Sequence, residues 1–109
     1  MNGTTTVDFA IEAILDALRQ LIARRIAMPD DDPRVASLEE KLCIKSRALL
    51  ARFVDCAMWE GVTPDVVDTV RKALTDTSNA VTVDKGLCRQ SIDKRIAQFE
   101  EFLKRHPIE

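Results

Sequence analysis

PRVASLEEKLCIKSRALLARFVDCAMWEG, residues 33–61, carries no helix breaker between its opening proline and its closing glycine. Asp32 stands just before it as an N-cap, and Pro33 takes the first helical position, where a missing N–H costs nothing. Gly61 supplies the C-terminal stop. The stretch predicts one helix from Pro33 to about Glu60, roughly 28 residues and about 42 Å long. Its main apolar stripe is Val35, Leu38, Leu42, Leu49, Phe53 and Ala57. A second row is Ile44, Leu50, Val54 and Met58. A helix apolar on more than one side belongs at the centre of a bundle. One this long in so short a chain needs other helices, or a second chain, along its length.

The flanking sequence supplies such helices. Upstream, Val7, Ile11, Ile14, Leu15, Leu18, Leu21, Ile22 and Ile26 recur at three- and four-residue spacing, a broad amphipathic stripe. They predict a helix from about Val7 to about Met28. Thr6 is its N-cap, and Asp8 and Glu12 lie near the positive end of the dipole. Arg24 and Arg25 lie in the last turns, where cations are favoured. Pro29 ends the helix, and Pro29-Asp30-Asp31-Asp32 forms a turn.

Downstream, Thr63, Pro64 and Asp65 open a third helix whose apolar face is Val66, Val67, Val70 and Leu74. Asp76-Thr77-Ser78-Asn79 predicts its break, because such side chains compete for backbone hydrogen bonds. The alternative is a helix fraying on to about Val81. Ala80-Val81-Thr82-Val83 has strand-like composition, but a strand with no partner is unstable and is not expected. Asp84 caps a fourth helix running to about Arg105, weakened at its start by Gly86 and limited by Pro107. Its stripe is Leu87, Cys88, Ile92, Ile96, Phe99 and Leu103, with Phe102 on the flank.

The helices therefore fall at about 7–28, 33–60, 64–76 and 84–105. The expected fold is a single all-α domain over residues 1–109. It is a four-helix antiparallel bundle or helical-hairpin stack with a long second helix. The wide stripe on the first helix exceeds what a lone small bundle should hide, so a homodimer is expected. Leu18 and Phe53 are the predicted core.

Composition narrows the function classes. Hydrophobic residues are 46% and charged residues 31%, which suits a folded domain and not a disordered one. Tyr is absent and aromatics are 5%, against a sandwich or barrel. A net charge of −2 gives no basic excess for phosphate neutralisation. No run of about 18 apolar residues is present to span a bilayer. Met1 to Thr6 lacks the basic start and apolar run of a signal peptide, so the expectation is a cytoplasmic protein.

Catalytic groups are scarce. His106, the sole histidine, lies near the C-terminus and reads as solvated or as capping a negative helix end. Cys43, Cys56 and Cys88 are widely spaced, form no Cys-x-x-Cys pair, and read as small buried hydrophobes. Asp30-Asp31-Asp32 lacks the alternating ligands and distal glutamate of a calcium loop. The glycines at 3, 61 and 86 are isolated, so no phosphate-binding loop exists. The expectation is no enzyme, no catalytic residue, no metal, no cofactor and no small-molecule substrate.

Cations occur at Lys41, Lys45 and Arg52 and at Arg89, Lys94, Arg95, Lys104 and Arg105, but acids interleave them. Glu100 and Glu101 each stand four residues before a cation, Lys104 and Arg105, a helix-surface pairing. No direct nucleic-acid contact is expected. What remains is interaction surface. Trp59 beside Met58 either closes one end of the core or anchors a partner. The first helix either packs its own core or lies in a partner's groove. The candidate partner-binding residues are Ile14, Leu21, Met58, Trp59 and Phe102.

Length, acidity, lack of catalytic groups and helix plan together resemble the QslA-type antiactivators of quorum sensing. The stretches that carry the likeness are Thr6-Val7-Asp8-Phe9-Ala10-Ile11-Glu12-Ala13-Ile14-Leu15 and Cys56-Ala57-Met58-Trp59-Glu60-Gly61. The resemblance implies a helical homodimer that binds the ligand-binding domain of a LuxR-type transcription factor. Binding would block that factor's dimerisation and hence its DNA binding. The alternatives are a small DNA-associated helical protein, or an adaptor, chaperone or phage-encoded inhibitor subunit.

Overall fold

A computed structural model describes residues 4–59, 62–81 and 87–108. They form four helices: α1 (Thr4–Ala27), α2 (Val35–Met58), α3 (Pro64–Ala80) and α4 (Leu87–Arg105). There is no strand among the described residues, so the all-α class holds. No helix among them is long and apolar enough to cross a membrane.

The element ends follow local chemistry, with four departures from expectation. Helix α1 starts at Thr4, so Thr6 lies inside it rather than capping it. Asp32 does not cap α2 directly. Its Oδ1 accepts the Arg34 N–H at 2.8 Å, and the Val35 N–H bonds the Asp32 carbonyl at 3.1 Å. Pro33 and Arg34 are thereby held in a turn of their own, an Asx-type device. Helix α2 begins after that turn and has 24 residues, the same as α1. It is therefore not the longest element. The expected stop at Gly61 lies outside the described residues, as do Thr82, Val83, the Asp84 cap and Gly86.

Helix α3 opens on Thr63, whose side chain accepts the Val66 N–H at 3.4 Å, with Pro64 next. The expected break at residues 76–79 does not occur, and the helix runs on to Ala80. Its hydroxyls are already occupied. Thr77 Oγ1 donates to the Ala73 carbonyl at 2.7 Å, and Ser78 Oγ bonds Asp93 Oδ1 on α4. Thr77, Ser78, Ala80 and Val81 are buried, so packing overrides local preference.

Side-chain pairs give the helix directions. Arg25, late in α1, meets Glu39, early in α2. Arg71 of α3 meets Glu100 of α4, and Ser78 meets Asp93. Both hairpins are therefore antiparallel. Across them, Cys88 meets Glu39, Arg95 meets Ser46, and Phe102 meets Phe53. Helices α2 and α4 thus run side by side in the same direction. Helix α2 packs on all three others, while α1 and α4 make no close backbone approach among the described residues. The result is a stack of two helical hairpins, 45 × 29 × 16 Å.

The core runs through the middle of the stack. Leu18, Leu42, Leu49, Phe53, Val70, Leu74, Ile92 and Phe99 are fully buried. Burying one such side chain is worth about 1.5–3 kcal/mol. The Phe53 and Phe99 rings lie 4.8 Å apart with a 59° tilt, which lets the edge of one face the cloud of the other. On α1, Ile11, Leu15, Leu18 and Leu21 all turn into this core. The middle of that helix's broad stripe is thus absorbed within the chain, while Ile26 near its end stays exposed.

Candidate functional site

Apolar surplus remains in the second row of α2. Leu50 and Val54 are half-buried, while Ile44 and Met58 are exposed. Leu50, Val54 and Met58 recur every four residues, so they form one ridge along the helix. On α4, the residues at 94, 97, 98, 101, 102 and 105 share a face by the same spacing. Because α2 and α4 lie side by side, these two rows wall a groove of about 590 Å³. Its floor is Leu50, Val54, Ala97 and Phe102, and its rim is Lys94, Gln98, Glu101 and Arg105. A second recess, walled by Arg47, Ser91 and Arg95, shares Leu50, Lys94 and Gln98 with it. The two recesses form one channel.

Phe102 is held in place from two sides. Its ring meets Phe53 edge-on at 6.1 Å and stacks on His106 at 4.6 Å. The His106 N–H also bonds the Phe102 carbonyl at 2.9 Å. His106 is exposed, and its ring packs against Phe102. The sequence reading missed this contact, although the i, i+4 spacing of an aromatic and a histidine was a visible signal.

The candidate residues separate in space. Met58 is 58% and Trp59 81% exposed, beyond the end of the groove. Trp59 therefore does not close the core. Phe102 sits on the groove floor. Leu21 is buried in the core, so it presents no surface to a partner, and Ile14 is half-buried against that core on α1. Helix α1 does not approach α4 among the described residues, so Ile14 and Phe102 lie on separate parts of the stack. Phe9 and Ile26 are further exposed apolar residues on α1.

Charges around the stack fall into two groups. Arg71 clasps Glu100 with two bonds, 2.7 and 3.1 Å, and lies 5.7 Å from the Phe99 ring centre. Glu100 thus pairs across to α3, whereas the spacing alone pointed to Lys104. The Arg71 hydrogen bond holds the Glu100 carboxyl below the usual range, against burial, with the charges of Arg71 and Lys104 assisting. Arg105 meets Glu101 at 3.6 Å, the expected helix-surface pair. Arg95 donates to the Cys43 carbonyl, the Cys43 sulfur and Ser46 Oγ at 3.2–3.3 Å, fastening α4 to α2. Arg47 and Lys94 make no ion pair among the described residues.

All three cysteines are free thiols, but only Cys56 is buried. Cys43 and Cys88 are half-buried and make polar contacts, Cys88 through a 3.2 Å bond to the Glu39 carbonyl. They are therefore not the simple hydrophobes expected. No group of three or more His, Cys, Asp or Glu side chains converges as a metal site would among the described residues. A recess between α1 and α3, lined by Ile11, Leu15 and Val66 with Glu12 and Asp65, holds no cysteine or histidine. The arrangement with most capacity to act is the apolar channel between α2 and α4. Compared with known proteins, the chain matches no family model, no curated protein and no solved structure.

Proposed function

We propose that the chain is a non-enzymatic regulator that works by binding another protein through the second row of α2 and the neighbouring face of α4. The observation that carries this reading is the ridge Leu50, Val54 and Met58 with Trp59 at its end, left open while the main stripe of α2 is buried. Tryptophan and flanking apolar residues are the side chains that anchor protein interfaces. A patch of roughly 800 Å² on each partner suffices for specific association.

The resemblance stated above supplies the partner class. In this reading the chain is a cytoplasmic antiactivator that sequesters a LuxR-type quorum-sensing transcription factor. Such a factor dimerises through an apolar helical surface, and a competing apolar ridge occupies that surface. The antiactivator itself acts as a homodimer, using exposed apolar residues away from the ridge such as Phe9 and Ile26.

The test is direct. The purified chain is mixed with the ligand-binding domain of a LuxR-type factor and passed over a sizing column. Operator binding by the full-length factor is then measured with and without the chain. Co-elution together with loss of the factor–operator complex supports the reading. Separate elution with operator binding intact sinks it.

A further inference from the structure

We infer that the α2/α4 channel receives an acidic amphipathic helix of the partner. This rests on the protein-binding reading and names the segment of the partner that is recognised. The first argument is charge. The channel walls carry Arg47, Lys94, Arg95 and Arg105 but only one acid, Glu101, on a chain whose net charge is −2. Arg105 already neutralises Glu101 at 3.6 Å. Arg95 is bound to a carbonyl, a thiol and a hydroxyl, none of which cancels its charge. Arg47 and Lys94 have no ion pair among the described residues. The channel is a basic strip on an acidic molecule, and charge of opposite sign is what such a strip selects.

The second argument is shape. The floor is apolar along its middle, so phosphates alone would leave it bare. Leu50 and Val54 form a four-residue ridge of the kind that meshes with a third helix. Along α4 the walls extend from Ser91 to Arg105, about 21 Å, or room for roughly four helical turns. An entering helix sets its apolar row on Leu50, Val54 and Phe102. Its flanking carboxylates reach Arg47 and Lys94.

The experiment uses the full chain and three fluorescein-labelled synthetic peptides of about 16 residues, long enough to fill the channel. One is an amphipathic Leu/Glu helix. The second replaces every Glu by Lys, and the third keeps the Leu/Glu composition with the helical spacing scrambled. Anisotropy is expected to report binding of the first alone, weakening steeply with salt. Arg47→Glu combined with Lys94→Glu should weaken that binding at least about tenfold, which is about 1.4 kcal/mol. Gln98→Glu, at an exposed position in the channel, should do so by itself. All three positions are on the surface, and melting curves confirm folding. Amide shifts should concentrate at Leu50, Val54 and Phe102.

Equal binding of the Lys or scrambled peptide overturns the inference. So does failure of the Leu/Glu peptide to bind, indifference to the charge reversals, or a short DNA duplex displacing the peptide. The two readings separate cleanly. A LuxR-type complex that survives both charge variants ends the channel inference and leaves the proposed function standing. Peptide binding in the channel without any such complex does the reverse.

Discussion

Arg25 and Glu39 are paired in the interior: Arg25 Nε donates to Glu39 Oε2 at 2.9 Å, and each side chain is only 2% exposed. The guanidinium also reaches the Met28 carbonyl at 3.3 Å and Asp30 at 3.0 Å. Burial alone would lower the Arg25 pKa, but the hydrogen bonds and charges of Glu39 and Asp30 outweigh it and keep the group above its ordinary value. Three elements thus meet at one cation: the end of α1, the turn, and the start of α2. Spacing placed Arg25 in the last turns of the helix, where a cation is favoured. The fold instead uses it as a rivet.

Removing one side of that rivet strands a buried charge. Arg25→Met is expected to destabilise the chain by about 3–5 kcal/mol in urea unfolding. The double variant Arg25→Met with Glu39→Leu should recover much of the loss, since a buried pair and an apolar replacement are often near equal. Glu39 Oε1 has no hydrogen-bond partner among the described residues, which favours the recovery. Equal losses in the single and double variants would contradict this account.

Phe53 and Trp59 should behave oppositely, though six residues apart on one stretch of chain. Phe53 is fully buried between Phe99 and Phe102, so Phe53→Ala should cost about 3–5 kcal/mol. Trp59 is exposed, so Trp59→Ala should change stability by no more than about 0.5 kcal/mol. Under the proposed function it should nevertheless weaken partner binding. Trp59 is the sole tryptophan, so its fluorescence reads the site alone. Emission should be red-shifted in the free chain and shift to the blue in a complex.

Stability should fall in acid in a way that Glu100 controls. Its carboxyl is held low first by the Arg71 hydrogen bond, so the folded pKa lies below its ordinary value of 4.5. The ion pair therefore contributes fully above the unfolded pKa, and the contribution fades as pH drops through the folded one. Asp32, lowered to about 2 by the side-chain hydrogen bond from Arg34 and by the Arg34 N–H, acts in the same sense. Melting temperatures measured below pH 5 should decline less steeply in Glu100→Gln than in the parent chain. Parallel curves would assign the acid sensitivity to other groups.

Self-association is expected to be concentration-dependent. Sedimentation should show the parent chain moving from monomer to dimer as concentration rises. Phe9→Ser should shift that curve toward monomer without altering the melting temperature. A strictly monomeric parent at high concentration would remove the homodimer from the proposed function.

Much of the architecture was legible in residue spacing. Leu42, Leu49 and Phe53 define the buried stripe of α2 by their seven- and four-residue recurrence, and Thr63-Pro64 marks the start of α3 by capping chemistry. The second row Ile44, Leu50, Val54 and Met58 was equally visible. Its fate was not, because spacing shows that a face is apolar without showing whether a neighbour covers it.

Local rules therefore determined the helices, their faces and the all-α class, since periodicity and capping act within a few residues. Only the tertiary structure decided that Leu21 turns inward and Trp59 outward, that Arg25 is buried, and that Glu100 pairs with Arg71. It also decided that α2 and α4 lie alongside each other, which converts two unremarkable rows into one basic-rimmed channel. Those outcomes depend on which helices become neighbours, and neighbours far apart in the chain are chosen by the packing of the whole.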